Sequence, residues 1–389
     1  MQGSGGAERC MLNLARGLAD HGQRVEIVLA RKQGHFLDEF PPAVRVVDLD
    51  VGSARDSLQC LPRLKGDAWF WARMLLASKP HFVLGALPKL TRYLRQERPD
   101  ALIAAMDYPN VVAIAARTLA GVRIPVIATV HSTLSVEVAN ATRRRIKAQP
   151  EVDRRFYPRA DAIVAVSRGV ADDLAHALTI PRQRIKTIYN PVVTSDLAQK
   201  AAQPLDHPWF AEGEPPVVLA VGGLKPAKDF ATLLRAFALA RRTHPMRMLI
   251  LGEGKLRHAL ARLAADLRVA EDVAMPGFVD NPFQYLARAG VFVLSSRWEG
   301  LPTVVIEALA CGCPVVSTDC PSGPAEILEN GKYGTLVPVE DPEALAAAIR
   351  QILEGGCDRE MLIKRGRDFA VKQAAGKYLD LIDEVTDAV

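Results

Sequence analysis

Residues 291–318 read VFVLSSRWEGLPTVVIEALACGCPVVST, and this stretch decides how the whole chain folds. The apolar runs at its two ends predict buried strands at 291–296 and 314–318. The Glu-Gly dipeptide between them predicts a turn, and a helix is expected over 302–311, with proline as its first residue. This order indicates two parallel strands joined by a crossover helix.

The same alternation continues in both directions along the chain. Strands are predicted at 24–30, 44–47, 101–105, 124–129, 162–166, 186–188, 217–223 and 246–251. Helices are predicted at 7–20, 89–96, 167–174 with Ser167 as N-cap, 229–241, 255–267, 342–353 and 369–389. The pattern indicates an α/β fold of two doubly wound, Rossmann-like domains that face a cleft, with the boundary near 190–215.

The beginning of the chain departs from this pattern. Residues 1–9, MQGSGGAER, form a Gly-rich turn that runs directly into a helix. In a doubly wound sheet such a turn follows a central strand, so the first N-terminal strand is missing, either because the protein lacks it or because the start is placed too late. Losing a central strand would leave unpaired strand edges in the first domain.

Composition limits the classes of protein that the chain can represent. Of 389 residues, 49% are apolar and 24% are charged, which excludes a disordered or fibrous chain. The net charge of +5 favours an anionic ligand or a membrane surface, and it is too small to indicate nucleic acid. The six cysteines contain no CxxC pair and match no zinc site, so we expect buried thiols in a reducing compartment. With neither a signal peptide nor a membrane span, the expected location is cytoplasmic, or peripheral on the inner membrane face.

The turn after the strand at 291–296 carries the residues most suited to chemistry. The free N–H groups and positive dipole at the start of the next helix suit a diphosphate. Glu307, in the second turn of that helix, can accept hydrogen bonds from a ribose, and Glu299 points toward the place where a sugar would lie. The alternative is that Glu299 caps the helix and Glu307 is solvated.

Seven segments in the same order along the chain resemble one family. They are GGAER at 5–9, ADAIVAVSRGV at 160–170, IYNPV at 188–192, LAVGGLKPAKDF at 219–230, LILGEG at 249–254, PGFVDNP at 276–282, and the block from 299 that contains Glu-x7-Glu. Together they resemble the family-four (group-one type) glycosyltransferases of GT-B fold. The resemblance implies an acceptor-side domain at 1–190, a nucleotide-sugar-binding domain at 191–370, and a helix at 371–389 that returns to the first domain.

The resemblance also implies roles for residues of the second half. The second acid of Glu-x7-Glu binds the nucleotide ribose in the family, which gives that role to Glu307, and the first contacts the donor sugar, which gives that role to Glu299. Lys228 matches the lysine of a basic pair that neutralises the leaving diphosphate. The arginine of the pair is replaced by Gly223. A charge-assisted contact of this kind is worth roughly 1.5–3 kcal/mol, so turnover is expected to be lower unless Lys225 substitutes for the arginine.

The remaining donor contacts implied by the family lie in three further places. Gly5 and Gly6 match the loop that approaches the β-phosphate, and His131 matches a histidine near the reacting carbon. The catalytic residues are thus expected to be His131, Lys228 and Glu299. The donor-binding set adds Gly5, Gly6 and Gly223, the base-holding turn residues Gly277, Phe278 and Val279, and Gly300, Leu301, Pro302, Thr303 and Glu307.

The implied reaction is a retaining, metal-independent transfer from a nucleotide-diphosphate sugar, with a UDP-sugar as the leading expectation. The acceptor would be a glycan or a lipid-linked glycan in cell-surface polysaccharide, lipopolysaccharide or glycolipid synthesis. No cofactor is expected beyond the nucleotide sugar, and no metal site. Asp48 and Asp50 superficially resemble an Asp-x-Asp metal motif, but they are interpreted as a turn. Asp107, Tyr108 and Asn110 are candidates for the acceptor side by position alone.

Several interpretations remain open at this point. The seven basic and two acidic residues within Arg143–Arg159 form a solvated helical face or a docking patch for an anionic membrane. Gly252-Glu253-Gly254 resembles the start of a dinucleotide fingerprint but lacks the third glycine. The rival functions are a sugar-nucleotide-binding protein with little or no transferase activity and a GT-B nucleotide-sugar epimerase.

Overall fold

The computed structural model describes residues 5–34 and 39–387. The chain forms two compact units, divided between Pro191 and Val192 and again between Ala370 and Val371. The residues after this second division belong to the first unit. Each unit combines parallel strands with helices, which confirms the expected α/β class.

The first unit contains two parallel sheets. Their strands are β1 (Glu26–Leu29), β2 (Arg45–Asp48), β3 (Leu102–Ala105), β4 (Val126–Val130), β5 (Ala162–Ala165) and β6 (Ile185–Thr187). β1 pairs with β2, and the other four pair in the order β3-β4-β5-β6. Within the described ranges, the end strands of the two sheets, β1 and β2 in one and β3 and β6 in the other, each pair on one side only, and the missing first strand stays a prediction.

Helices surround these sheets. They are α1 (Gly6–Asp20), α2 (Ala68–Leu75), α3 (Leu87–Glu97), α4 (Asp107–Ala120), α5 (Leu134–Ala139), α6 (Arg144–Lys147), α7 (Gln149–Phe156) and α8 (Arg168–Leu178). Short 3-10 helices lie at Ala54–Arg63, Lys65–Asp67, Phe82–Ala86, Tyr157–Arg159 and Arg182–Arg184. The Ser167 hydroxyl accepts a hydrogen bond from the Val170 N–H at 3.1 Å, so the predicted N-cap of α8 is confirmed.

The second unit is built on one six-stranded parallel sheet. Its strands are β7 (Val217–Val221), β8 (Arg247–Leu251), β9 (Val273–Gly277), β10 (Val291–Leu294), β11 (Val315–Thr318) and β12 (Thr335–Val337), in the spatial order β12-β11-β10-β7-β8-β9. Its helices are α9 (Leu197–Ala202), α10 (Phe230–Arg241), α11 (Arg257–Asp266), α12 (Phe283–Leu286), α13 (Thr303–Ala310), α14 (Pro324–Ile327), α15 (Pro342–Gly355) and α16 (Arg359–Arg367). Further 3-10 helices lie at Pro208–Phe210, Pro226–Lys228 and Ala270–Asp272.

The core of the second unit explains why its strands read as continuous apolar runs. All four residues of β10 are buried, because helices cover both faces of the central strands. Phe237 on α10 and Ile349 on α15 are fully buried in the same apolar cluster as Val218 on β7. α10 and α15 therefore pack together against one face of this sheet.

The last helix, α17 (Val371–Asp387), packs within the first unit. Its Ala375, Tyr378 and Leu381 share a buried cluster with Leu14 of α1 and Val164 of β5. A side chain on Gly17 of α1 would place its Cβ 2.7 Å from Val371 Cγ1 and 2.9 Å from Ala375 Cβ. The two helices thus meet across a glycine contact that leaves no room for a methyl group.

Two strands were not expected from the sequence. β9 contains Pro276 and ends in glycine, and β12 has only three residues, so neither shows the apolar run that marks the central strands. The predicted strands and helices at the other positions are present, with ends shifted by a few residues. Over the part of the chain that the structure describes, no helix is both long enough and apolar enough to cross a membrane.

Candidate functional site

The carboxyl ends of β7, β8 and β9 meet at one edge of the sheet of the second unit. The Gly222 N–H donates to the Leu251 carbonyl at 2.9 Å, and the Gly252 N–H donates to the Gly277 carbonyl at 2.7 Å. Gly252 has a φ of +141°, and a Cβ there would overlap the Gly222 carbonyl, so this position requires glycine. The turns that follow these strands are therefore held together at the edge where parallel α/β sheets bind ligands.

Lys228 and Glu299 form an ion pair at this edge. Lys228 Nζ lies 2.6 Å from Glu299 Oε1, and the Ser296 hydroxyl donates to the same oxygen at 2.6 Å. Each charged side chain is 14% exposed, so the pair is partly desolvated and its attraction exceeds that of a surface pair. The Glu299 carboxylate binds these two partners and does not cap α13. The alternative of Glu299 as a helix cap was wrong.

The turn that carries Lys228 is tied to the end of β10. The Ser295 hydroxyl donates to the Lys228 carbonyl at 2.8 Å. The Arg297 N–H donates to the Ala227 carbonyl at 2.8 Å. Because these bonds fix the backbone on both sides of the ion pair, the lysine ammonium is held in place before any ligand arrives. The serines of the strand end VFVLSS had not been identified as functional, although their position between the strand and Glu299 was a usable signal.

The turn before α13 is fixed in the same way. The Ser322 hydroxyl donates to the Gly300 carbonyl at 2.7 Å, and Leu301 is buried. α13 begins at Thr303 with Pro302 as N-cap residue, so the expectation that Pro302 is the first helical residue was wrong by one position. Among the described residues, no side chain caps this N-terminus. Its positive end is thus available to an anion.

Glu307 is the fifth residue of α13 and is 9% exposed. It follows Thr303 by four positions, so both lie on one face of the helix. Burial raises the pKa of Cys311 to about 12, and the negative charge of Glu307 contributes to this shift. The alternative of a solvated Glu307 is therefore wrong, because the residue lies within the protein, close to the first turn of the helix.

Gly223 is the residue that the sequence resemblance matches to an arginine of the family. A Cβ at this position would meet nothing nearer than the Glu253 carbonyl oxygen, at 3.7 Å. This is an ordinary van der Waals distance. Packing therefore does not force glycine here, and a long side chain can be accommodated at its base.

The segment expected to hold the base lies at the end of β9. Gly277 is the last residue of that strand, so the turn predicted at 277–281 starts at the strand end. Its φ is +97°, and a Cβ would lie 2.7 Å from Glu253 Oε1. Phe278 is 53% exposed and Val279 is half-buried. Base binding by this segment stays a prediction.

Gly5 and Gly6 lie at the start of α1 in the first unit. Gly5 is the N-cap residue and Gly6 the first helical residue, and both are exposed. A Cβ on Gly5 would contact only Glu8 Oε2, at 3.7 Å. The described chain itself therefore does not require glycine at residue 5. The expected role, close approach of a phosphate to the backbone, stays a prediction.

His131 directly follows β4 in the first unit. Its Nε2 lies 3.0 Å from the Thr129 hydroxyl, and its buried Nδ1 has no hydrogen-bond partner among the described residues. Burial lowers the pKa of His131 to about 4. The imidazole is therefore neutral at pH 7, so it can exchange hydrogen bonds with a sugar but supplies no positive charge.

The three positional candidates for the acceptor side differ in their surroundings. Asn110 is fully buried and donates to the Thr129 carbonyl at 2.9 Å and to the Tyr157 hydroxyl at 3.1 Å, so its proposed acceptor role was wrong. The Tyr108 ring stacks on His81 at 4.7 Å. Burial, followed by the charge of Glu137, raises the pKa of Asp107 to about 6.

The Asp-x-Asp pattern of Asp48 and Asp50 is interpreted as a turn. Within residues 5–34 and 39–387, no cluster of three or more His, Cys, Asp or Glu side chains could hold an ion. Asp48 ends β2, and its Oδ1 accepts a hydrogen bond from the Asp50 N–H at 2.8 Å. This local bond confirms that the two aspartates form a turn.

Two family profiles match the chain side by side. Residues 4–196 match Glycosyltransferase Family 4, and residues 204–369 match Glycosyl transferases group 1. The order is that of the two structural units.

Curated relatives match part or all of the chain. An N-acetylgalactosaminyltransferase of Campylobacter jejuni that acts on N-acetylgalactosamine-N,N'-diacetylbacillosaminyl-diphospho-undecaprenol is 34% identical over 51% of this chain and 52% of its own length. The lipopolysaccharide core biosynthesis glycosyltransferase LpsE of Rhizobium meliloti is 34% identical over 56% of this chain and 61% of its own. Over these matches the chain spans about half to two-thirds of the relatives' length. A second Campylobacter jejuni α-1,4-N-acetyl-D-galactosaminyltransferase is 26% identical over 99% of this chain and 97% of its own.

Solved structures share the fold at low sequence identity. HepE from Anabaena, in complex with UDP-glucose, has a TM-score of 0.75 at 20% identity and covers 100% of this chain and 98% of its own. The apo form of the lipopolysaccharide outer core galactosyltransferase WaaB has a TM-score of 0.69 at 18% identity, with 99% and 97% coverage. With both profiles matched in order and this fold shared over the full chain, the chain belongs to the family-four, group-one glycosyltransferases of GT-B fold.

Proposed function

We propose that the protein is a retaining, metal-independent glycosyltransferase. It moves a sugar from a nucleotide-diphosphate sugar, a UDP-sugar in the first instance, to a glycan or lipid-linked acceptor. The observation that carries the proposal is the ion pair of Lys228 and Glu299 beside the uncapped start of α13. A preorganised cation next to a helix N-terminus stabilises negative charge that develops on a leaving diphosphate.

The chemistry assigns a separate task to each residue. The bond between the anomeric carbon and the β-phosphate oxygen breaks, and its electron pair goes to that oxygen. Lys228 and the first turn of α13 stabilise the resulting charge. The acceptor hydroxyl forms the new bond on the same face of the sugar, and its proton goes to the leaving phosphate. Glu307 accepts hydrogen bonds from the ribose, and Glu299 and a neutral His131 contact the sugar.

The ion pair also indicates how the site changes when the donor binds. In the described structure Lys228 Nζ is held by Glu299. A bound diphosphate competes for the same ammonium, because its two phosphate groups together carry more negative charge than one carboxylate. Donor binding therefore frees the Glu299 carboxylate to accept hydrogen bonds from sugar hydroxyls.

The names of the relatives support a proposal for the acceptor. The Campylobacter jejuni transferases are named for undecaprenol-linked substrates, and the Rhizobium meliloti transferase for lipopolysaccharide core synthesis. We therefore propose a lipid-linked glycan acceptor in cell-surface polysaccharide or lipopolysaccharide assembly. The protein would work in the cytoplasm, peripherally on the inner membrane face, where such acceptors expose their glycans.

The experiment incubates the purified chain with UDP-, GDP- and ADP-sugars and lipid-linked glycan acceptors, with and without EDTA. Release of the nucleoside diphosphate is measured, and the anomeric configuration of the product is read by NMR. We expect activity with one donor class, retention of configuration and no loss with EDTA. Glu299→Ala should abolish transfer, while Glu360→Ala, which changes an exposed acid on α16, should not. Inversion, EDTA sensitivity or full activity of Glu299→Ala would each contradict the proposal.

One observation favours a second candidate, a sugar-nucleotide-binding protein with little turnover. Because residue 223 is glycine, the arginine that the family uses to stabilise the diphosphate leaving group is lacking at this position. This candidate predicts that a nucleoside diphosphate raises the melting temperature while no product forms with any acceptor. A ligand at about 100 times its Kd adds about 2.7 kcal/mol of stability, so binding is easily detected apart from activity.

A further inference from the structure

The face of the first unit that carries α2 exposes two large apolar side chains. Trp69 is 71% exposed and Leu76, directly after the helix, is 65% exposed. They are seven residues apart, close to two helical turns, so they project from one face. Arg73 lies between them, with its guanidinium carbon 5.8 Å from the centre of the Trp69 ring. Arg73 also forms an ion pair with Glu151, with its Nη2 2.9 Å from Oε2, so the face presents apolar side chains beside a paired cation.

An arginine-lined cavity of about 660 Å³ opens beside this face. Its lining includes Trp69, Phe70, Glu151, Arg154, Arg155 and Arg159. Asp67 holds two of the arginines, since Arg155 Nε lies 2.6 Å and Arg159 Nη2 3.0 Å from its Oδ1. Arg154 is exposed and donates to the Ala177 carbonyl at 2.7 Å.

The charge around the cavity is strongly unbalanced. Residues 63–79 and 143–159 together contain eleven Lys and Arg and only three Asp and Glu. Asp67 pairs with Arg155 and Arg159, and Glu151 pairs with Arg73, but the basic residues of these two ranges still outnumber the acidic ones. A surface of this sign repels a second copy of itself across a two-fold axis. This basic and apolar face is complementary to a surface that carries negative charge on the outside and has an apolar layer below that charge.

We propose that one face of the first unit binds the surface of an anionic phospholipid bilayer. This docking face consists of Trp69, Leu76, Arg73, Arg154, Arg155 and Arg159. Trp69 and Leu76 enter the boundary between headgroups and acyl chains, where amphipathic aromatic rings are favoured. The arginines contact the lipid phosphates. This rests on the proposed function only in taking the acceptor to be lipid-linked, and the earlier location at Arg143–Arg159 is thereby extended to α2.

The test measures co-sedimentation of the full chain with vesicles, without donor or acceptor. Vesicles of phosphatidylcholine alone are compared with an equal mixture of phosphatidylcholine and phosphatidylglycerol. We expect binding to the mixture only, weakened by salt. Arg154→Gln should weaken it about fivefold, which corresponds to about 1 kcal/mol for a basic residue near an anionic membrane. Arg262→Gln, the same change at an exposed position of α11, should leave it unchanged.

The apolar part of the docking face is tested separately. Trp69→Ser and Leu76→Ser should each weaken vesicle binding, while Met361→Ser, which removes an exposed apolar side chain of α16, should not. Trp69 fluorescence should shift to shorter wavelength with anionic vesicles, and the shift should be absent from Trp69→Phe. Melting temperatures identify any variant that fails to fold, and the fluorescence of the unaltered chain then carries the test.

Three outcomes would overturn the docking proposal. The first is no binding to either vesicle by a folded chain. The second is binding of inorganic phosphate or diphosphate that Arg154→Gln weakens while vesicles do not bind. The third is self-association in sedimentation velocity that Trp69→Ser abolishes. Because these measurements use neither sugar nucleotide nor acceptor, a failed transferase assay with intact vesicle binding contradicts only the proposed function.

Discussion

Replacing Gly223 by arginine should raise turnover. The position follows β7 and lies at the sheet edge that carries Lys228. Its Cβ would be 3.7 Å from the Glu253 carbonyl oxygen, so the larger residue causes no overlap at the backbone. A charge-assisted hydrogen bond to the leaving phosphate is worth roughly 1.5–3 kcal/mol. At about 1.36 kcal/mol per factor of ten, kcat should rise roughly 10- to 150-fold.

The assay is steady-state release of the nucleoside diphosphate with saturating acceptor. Gly223→Gln supplies a long polar side chain without charge and should give little of the gain. Gly222→Ala is a negative control, because a Cβ at Gly222 would lie 3.2 Å from Lys228 Cε and disturb the lysine. If Gly223→Arg keeps its melting temperature and nucleotide affinity but loses kcat, the strand-end turn has been rebuilt around a different contact. Equal gains from arginine and glutamine would refute the charge argument.

Three further predictions concern binding, pH and packing. Glu307→Gln should weaken nucleotide binding about tenfold or more in calorimetry, because a charged acceptor for the ribose is lost; unchanged affinity would remove Glu307 from the ribose site. Since burial lowers the pKa of His131 to about 4 from 6.5, its contribution to stability is present above pH 6.5 and is lost as the pH falls toward 4, by about 2 kcal/mol between pH 7 and 5. Urea unfolding of His131→Leu should show a correspondingly flatter pH dependence, and equal slopes would refute this. Gly17→Ala should destabilise the protein by about 1–3 kcal/mol, since its Cβ would lie 2.7 Å from Val371 Cγ1, whereas Gly376→Ala within α17, where a Cβ would meet nothing within 4 Å, should not.

Strands at the centre of the sheets were predictable because burial on both faces imposes a local signature. β10 and β11 lie within apolar runs and were found from them. β9 and β12 were not found, because strands near a sheet edge need fewer apolar residues and tolerate proline. Their positions depend on pairing with neighbours distant in sequence.

The candidate site shows the same division between local and long-range information. The residue types of Lys228 and Glu299 could be recognised from motifs, but their 2.6 Å contact joins positions 71 apart. Burial was equally hidden at Asn110, whose partners Thr129 and Tyr157 come from other elements. The sequence pattern thus identified polar residues near strand ends, and the fold determined which of them face ligand and which hold the protein together.

The position of α17 has a consequence for synthesis on the ribosome. The second unit, Val192–Ala370, is continuous in sequence and can fold as soon as it has emerged. The first unit cannot complete its core at that time, because Ala375, Tyr378 and Leu381 belong to its buried cluster and are made later. Residues up to Pro191, although translated first, should therefore reach their final stability last. They would expose the α17-binding surface to chaperones throughout elongation.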